Sequence, residues 1–403
     1  MSKRLIATFS IVILLFSLLT EQSQAATKAG TSCSKVGKTS ISLGKKFTCI
    51  RSGQKLIWDT GKIINSGKPS PMPTNSKLIE PDWVVKTKEI SLSSRNGSEV
   101  HNINTIFISE NFDKQLQVGL MEYQNIASHY WSINGVVIPG NLDIVFLTEK
   151  DKIWFKNIIG INAPVVDTFF SKQDADIYFN GTVIVDKIPA SRFVIVYFVG
   201  TNFKNSVRYK SVNSNWNSAL ANASTHEFQH LVQYTRTLVK SGINLQSQLP
   251  CWFSEGFAAF FEDSFYLQTT DKQNFILQNT PENIAELISV RKKRISTVIY
   301  LTSSYISERN SVDQWINFLF SNYTQNDVCS STGYGYTLGR FLVEKLYIDF
   351  GTSNILKLLD ETNKSNSFST GFKNAFNVDE KVWLGEKAIP YFLNEAKLLN
   401  YGN

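Results

Sequence analysis

Histidine is scarce in this chain, four residues in 403, and two of the four stand four apart in His226-Glu227-Phe228-Gln229-His230. That pair constrains the fold more than any other feature. Residues 215 to 238 contain no Gly or Pro, and Leu220, Leu231 and Tyr234 lie among good helix formers, so the spacing predicts a helix. On a helix, residues four apart project from one face, and both imidazoles can then reach a single metal ion. Glu227 stands one position round, where a carboxylate can take a proton from a water on that ion. Zinc suits such a pair and needs one more protein ligand, leaving a fourth position for water. His101 and His129 stand alone in the sequence and read as structural.

A candidate third ligand lies downstream. Pro250-Cys251-Trp252-Phe253-Ser254-Glu255-Gly256-Phe257-Ala258-Ala259-Phe260-Phe261-Glu262 reads as a second helix with an acid placed early. Between His230 and Glu255 there is room for a loop through Lys240-Ser241-Gly242 and an antiparallel return. HEFQH followed by WFSEGFAAFFE resembles the gluzincin metallopeptidases, the clan of thermolysin and aminopeptidase N. Their second motif is a Trp, two residues, then Glu-Gly-Phe-Ala. The resemblance implies zinc held by His226, His230 and Glu255, with Glu227 as general base. It implies a zincin-like α/β half carrying the site and a mostly helical half after it. Gly256 and Ala258 would let the second helix pack closely beside the first. The His-to-Glu spacing is several residues longer than in the best-known gluzincins. No GAMEN-like stretch, which holds a substrate's free amine in the aminopeptidases, occurs upstream, so endopeptidase action is favoured over aminopeptidase action.

Peptide hydrolysis also calls for a donor to the oxyanion of the tetrahedral intermediate. Family members supply a Tyr or His from the helical half. No His follows His230, so the resemblance implies a Tyr within Gly333-Tyr334-Gly335-Tyr336-Thr337-Leu338-Gly339. Tyr336 is favoured and Tyr334 comes second, and either could instead be a helix-packing aromatic. The run RFVIVYFVG, before the His-bearing helix, reads either as the edge strand along which substrate lies or as a core strand.

The rest of the chain supplies context. Lys3 and Arg4, an apolar run from Leu5 to Leu19, and Ser23-Gln24-Ala25 read as a signal peptide over residues 1–25, and later stretches are too short or too polar to cross a bilayer. The expectation is a secreted, extracellular protein without a transmembrane span. Four cysteines suit that compartment, and Cys33 with Cys49 and Cys251 with Cys329 are the favoured disulfides. Residues 27–62 read as a small cysteine-paired β module and 63–81 as a Pro/Ser-rich linker. Residues 82–264 read as the α/β catalytic part and 265–403 as helical.

A net charge of +7 comes from 41 basic residues scattered among 34 acids. The one tight basic run, Arg291-Lys292-Lys293-Arg294, reads as a solvated helix surface, and nucleic acid is not an expected partner. The expected partner is a peptide or protein substrate. The β module is either a passive spacer or a contact to cell wall or another anionic polymer. The function expected is that of a secreted zinc metallopeptidase. Its rivals are an inactive zincin-fold binding protein and a zinc hydrolase of non-peptide bonds.

Overall fold

A computed structural model describes residues 29–42, 45–60, 62–63, 81–93, 103–138, 141–160, 164–186, 192–205, 217–237, 249–266, 281–324, 329 and 333–398. The expected signal peptide, nearly all of the expected linker, His101 and the loop through Lys240 lie outside them. The chain divides between residues 79 and 80 into two compact units.

The first unit is a small antiparallel sheet of β1 (Thr39–Ser42), β2 (Lys45–Ser52), β3 (Lys55–Trp58) and β4 (Lys62–Ile63). Strand β2 is central, pairing Thr48 with Thr39 and Cys49 with Trp58. Alternation along β2 puts Phe47 and Cys49 on one face, and both are buried. So few apolar residues make a thin core, and the Cys33–Cys49 disulfide, Cα atoms 5.9 Å apart, staples it.

The second unit begins with α1 (Asp82–Ser93) and continues as β5 (Ile103–Ile108), α2 (Lys114–Ile133), β6 (Asn141–Leu147), α3 (Lys152–Ile159), α4 (Pro164–Phe170), β7 (Phe179–Asp186) and β8 (Arg192–Val199). The sheet order is β5-β6-β8-β7, with β5, β6 and β8 parallel and β7 antiparallel at one edge. Strands β6 and β8 are continuous apolar runs because both of their faces are covered. Leu142, Ile144, Phe146, Phe193, Ile195 and Tyr197 face the core that includes α2, while Val145, Leu147, Val194, Val196 and Phe198 face α3 and α4. Of the two readings left open for RFVIVYFVG, the core strand is the one observed, and the edge beside it is β7.

Helices make up the remainder: α5 (Asn217–Thr237), α6 (Cys251–Tyr266), α7 (Pro281–Thr302), α8 (Val312–Ser321), α9 (Tyr334–Ser365), α10 (Phe368–Phe376), α11 (Glu380–Trp383) and α12 (Ile389–Leu398). One continuous apolar core runs from the α2 face of the sheet through α5 and α6 into α9, α10 and α12. Helices α6 and α9 touch backbone to backbone. A Cβ on Gly256 would stand 2.4 Å from the carbonyl of Gly339, and one on Gly339 would stand 2.3 Å from the Trp252 oxygen. The Cys251–Cys329 disulfide closes this region.

The basic run corrects one expectation. It lies in the middle of α7, and its first member is not solvated: Arg291 is buried, donating to Glu344 and Glu395 and lying over the rings of Trp83 and Phe341. Heptad-like repetition of Ile288, Arg291, Ile295 and Val298 turns that position inward, and two carboxylates compensate its charge.

Candidate functional site

The His-bearing segment forms α5, buried against α2 and the sheet through Phe228, Leu231 and Val232. The next helix, α6, is anchored at its first residues. Cys251 is disulfide-bonded and donates its N–H to the Tyr323 carbonyl, and the Trp252 indole N–H donates to Glu380 at 3.1 Å. Glu255 follows one turn later, on the side facing α5.

His226 Nε2 and His230 Nε2 lie 3.2 Å apart, and Glu255 Oε2 lies 3.5 Å from each. Tetrahedral zinc with bonds of about 2.0–2.1 Å requires ligand atoms about 3.3 Å apart. The triangle therefore has the dimensions, and the two-nitrogen, one-carboxylate composition, of a zinc site with one position open. Among the described residues it is the one group of three such side chains close enough to share an ion.

Second partners orient the imidazoles. Glu262 Oε2 is 3.0 Å from His226 Nδ1, and Gln233 Oε1 is 3.1 Å from His230 Nδ1. Gln233 is itself held, its amide donating to the Ser254 carbonyl at 2.9 Å. These contacts place Nδ1–H toward an acceptor and leave Nε2 for the ion, the arrangement that fixes tautomer and ring direction at metal sites. Sequence reading missed both residues, although the signal is present. Glu262 is two turns beyond Glu255 and Gln233 one turn beyond His230, each on the same helix face as its neighbour.

Glu227 is 8% exposed and lies against β7 at Gly181. A Cβ on Gly181 would stand 2.5 Å from the Glu227 Cγ and 3.0 Å from Oε1, so a side chain there would force the carboxylate to shift. The two tyrosines separate. Tyr334 is fully buried, and its hydroxyl donates to the Asn322 carbonyl, which makes it a packing residue. Tyr336 stacks on His226, ring centroids 5.4 Å apart and planes 15° from parallel, with its hydroxyl at Glu255 and 44% of its surface exposed. His129, on α2, stands apart from this group.

Charge explains the protonation of the metal-free cluster. Burial works against a charged His226, but Glu255 and Glu262 outweigh it and push the imidazole up to about 10. Burial likewise opposes charging of His230, and Glu255 again prevails, raising its pKa. Burial raises Glu227 above the ordinary carboxyl range. The same burial acts on Glu255, yet the two imidazoles hold it well below that range. The Glu255 charge, followed by burial, drives the Tyr336 hydroxyl well above the ordinary phenol range, so it is a neutral donor. Three carboxylates around two imidazoles make a site where protons occupy the place a divalent cation fits.

Comparison with known proteins returns no matching family model, no matching curated protein and no matching solved structure.

Proposed function

We propose that this chain is an exported zinc metallopeptidase with a zincin-like catalytic unit of gluzincin type, acting by preference as an endopeptidase. The observation that carries the reading is the convergence of His226 Nε2, His230 Nε2 and Glu255 Oε2 at 3.2–3.5 Å, with the Glu227 carboxylate alongside. His226, His230 and Glu255 would hold the ion. Zinc bound there polarises a peptide carbonyl and makes a water nucleophilic near neutral pH.

The chain's own groups supply the proton handling. Glu227 takes the proton of the attacking water and returns it to the leaving amine, a role suited to a carboxyl whose pKa burial has raised. Tyr336, kept protonated, is positioned to donate to the developing oxyanion once substrate separates its hydroxyl from Glu255. Glu262 and Gln233 hold the imidazoles in place. The N-terminal run from Lys3 to Ala25 supports export. No helix among the described residues is long and apolar enough to cross a membrane. A glycine at 181 that admits Glu227 favours a catalytic site over one kept for binding alone, because zinc retention by itself has no use for that carboxylate.

The test is peptide-library cleavage by the zinc-loaded mature protein, read by mass spectrometry beside its Glu227→Gln variant. The expected result is internal cuts by the wild type and a loss of about a hundred- to ten-thousand-fold in the variant. No cleavage by the wild type, or equal cleavage by both, overturns the reading.

A further inference from the structure

Glu380 is a buried carboxylate that the proposed chemistry does not use. It opens α11 and is 2% exposed. Burying a carboxylate without a counter-charge is costly unless its oxygens are hydrogen-bonded. Among the described residues the groups that hold Glu380 are three neutral donors. The Trp252 indole N–H donates to Oε1 at 3.1 Å, and the hydroxyls of Tyr323 and Ser369 both donate to Oε2 at 2.6 Å. One side chain thereby gathers α6, the segment after α8 and the start of α10.

These bonds close a ring around the first turn of α6. Tyr323 serves twice, its hydroxyl donating to Glu380 while its carbonyl accepts from the Cys251 N–H at 2.8 Å. Cys251 and Trp252 are adjacent, so the ring runs from Glu380 through Tyr323, Cys251 and Trp252 back to Glu380. The rings of Phe368 and Trp383 lie against the Trp252 indole, centroids 5.8 and 6.3 Å away. Helix α11 is fixed in turn, because the Trp383 indole donates to Asp349 on α9 at 3.0 Å. The helix that carries Tyr336 is therefore tied to the turn that leads into Glu255.

This tie controls a motion that the glycine contact leaves free. Gly256 and Gly339 set how closely α6 and α9 approach, but glycines have no side chain to resist rotation of α6 about its own axis. A Trp252 indole bonded at its tip does resist it. Side-chain atoms lie about 5–6 Å from a helix axis, so a rotation of about 10° carries a carboxylate oxygen about 1 Å. A ligand set needs its members held to within about 0.5 Å. We propose that Glu380 is a positioning residue for Glu255, fixing through Trp252 and Tyr323 the rotation of α6 that sets Glu255 Oε2 at 3.5 Å from both imidazoles. The inference rests on the reading of His226, His230 and Glu255 as a metal site.

The experiment measures zinc affinity of the full mature chain by chelator competition, with the melting temperature beside it. Glu380→Leu removes the acceptor of all three bonds and should weaken zinc binding about 10–100-fold. Glu380→Gln should recover most of that loss, since its amide oxygen accepts from Trp252 and its amide N–H donates to the hydroxyl oxygens. Tyr323→Phe removes one donor and should cost at least about threefold. Val298→Ala, in a buried position on α7 outside the ring, controls for general loss of stability and should lower the melting temperature with zinc affinity unchanged. In a Glu255→Gln background, where the ligand to be positioned is gone, Glu380→Leu should cost little further. An equal loss in that background, or a loss in Val298→Ala as large as in Glu380→Leu, overturns the proposal. Should Glu380→Leu not fold, Tyr323→Phe decides, and unchanged affinity there overturns it. A wild type that binds no zinc overturns the metal reading and this inference with it, whereas zinc binding equal in the wild type, Glu380→Leu and Tyr323→Phe overturns this inference alone.

Discussion

The backbone contact between α6 and α9 yields the sharpest quantitative expectation, the effect of Gly256→Ala. An added Cβ would stand 2.4 Å from both the carbonyl carbon and the oxygen of Gly339, and 2.8 Å from its Cα. Ordinary carbon contacts lie at about 3.5–4.0 Å, so the helices must part by roughly 1 Å. The opposing atoms are backbone, which has no rotamer through which to escape. In isolation the substitution favours the helix by about 1 kcal/mol, since alanine outranks glycine by that margin. Forcing an extra methyl into a packed interface costs typically about 1–3 kcal/mol and more where backbone must move. Packing should win, for a net destabilisation of about 1–2 kcal/mol. Gly385→Ala is the internal control, because nothing lies within 4 Å of a Cβ placed there, and it should be neutral or slightly stabilising. Urea unfolding with the disulfides intact, compared at equal m-values, measures both. Gly256 adjoins Glu255, so parting the helices should also loosen the proposed metal site, which chelator competition reads separately. A Gly256→Ala protein as stable as the parent would refute the reasoning, showing that the α6–α9 interface has slack.

Other substitutions address the cluster directly. Glu262→Gln removes the charged partner of His226 Nδ1 and should weaken zinc binding about 10–100-fold in a chelator titration while circular dichroism stays unchanged. Tyr336→Phe should lower kcat about a hundredfold or more with KM little altered, whereas Tyr334→Phe should cost stability, about 1 kcal/mol for its bond to Asn322, and leave kcat alone. In the metal-free protein the His226 pKa is raised from 6.5 to about 10. Its contribution to stability is then fully present below about pH 6.5 and lost as pH rises through about 10. Metal-free protein should accordingly unfold more readily at pH 10 than at pH 7, a difference that shrinks in His226→Gln. A metal-free protein equally stable at both values would contradict this coupling.

The strand and helix runs with clear periodicity were legible before any coordinates. The β module expected over residues 27–62 holds β1 to β3, and the helices through His226 and Glu255 lie where the sequence places them. These are local properties, set by backbone propensity and by a repeat of two or 3.6 residues. The grouping of His226 with His230 was equally local, since four residues on a helix bring two side chains together whatever surrounds them. Both disulfides are the pairs favoured from the even cysteine count.

Other features depended on which segments meet. Whether RFVIVYFVG was edge or centre turned on the antiparallel return of β7, and a strand's own composition cannot report how many neighbours it has. Arg291 looked solvated within a basic run, and its burial required Glu344 and Glu395 from two other helices. Tyr334 and Tyr336 were indistinguishable by type. They face opposite ways because Gly335 and Gly339 bring α9 onto α6 at one rotation, setting Tyr336 over His226 and Tyr334 into the core. Gln233 lies one turn from His230 on the same helix, so its contact is local, whereas the bond from Glu262 to His226 crosses between helices and depends on the angle and distance of packing, which come from side-chain volumes summed over the whole core. Residue type and spacing alone give the candidate ligands and the helices that carry them. The triangle of 3.2–3.5 Å that they form arises from the packing of two helices against each other, which no local spacing sets.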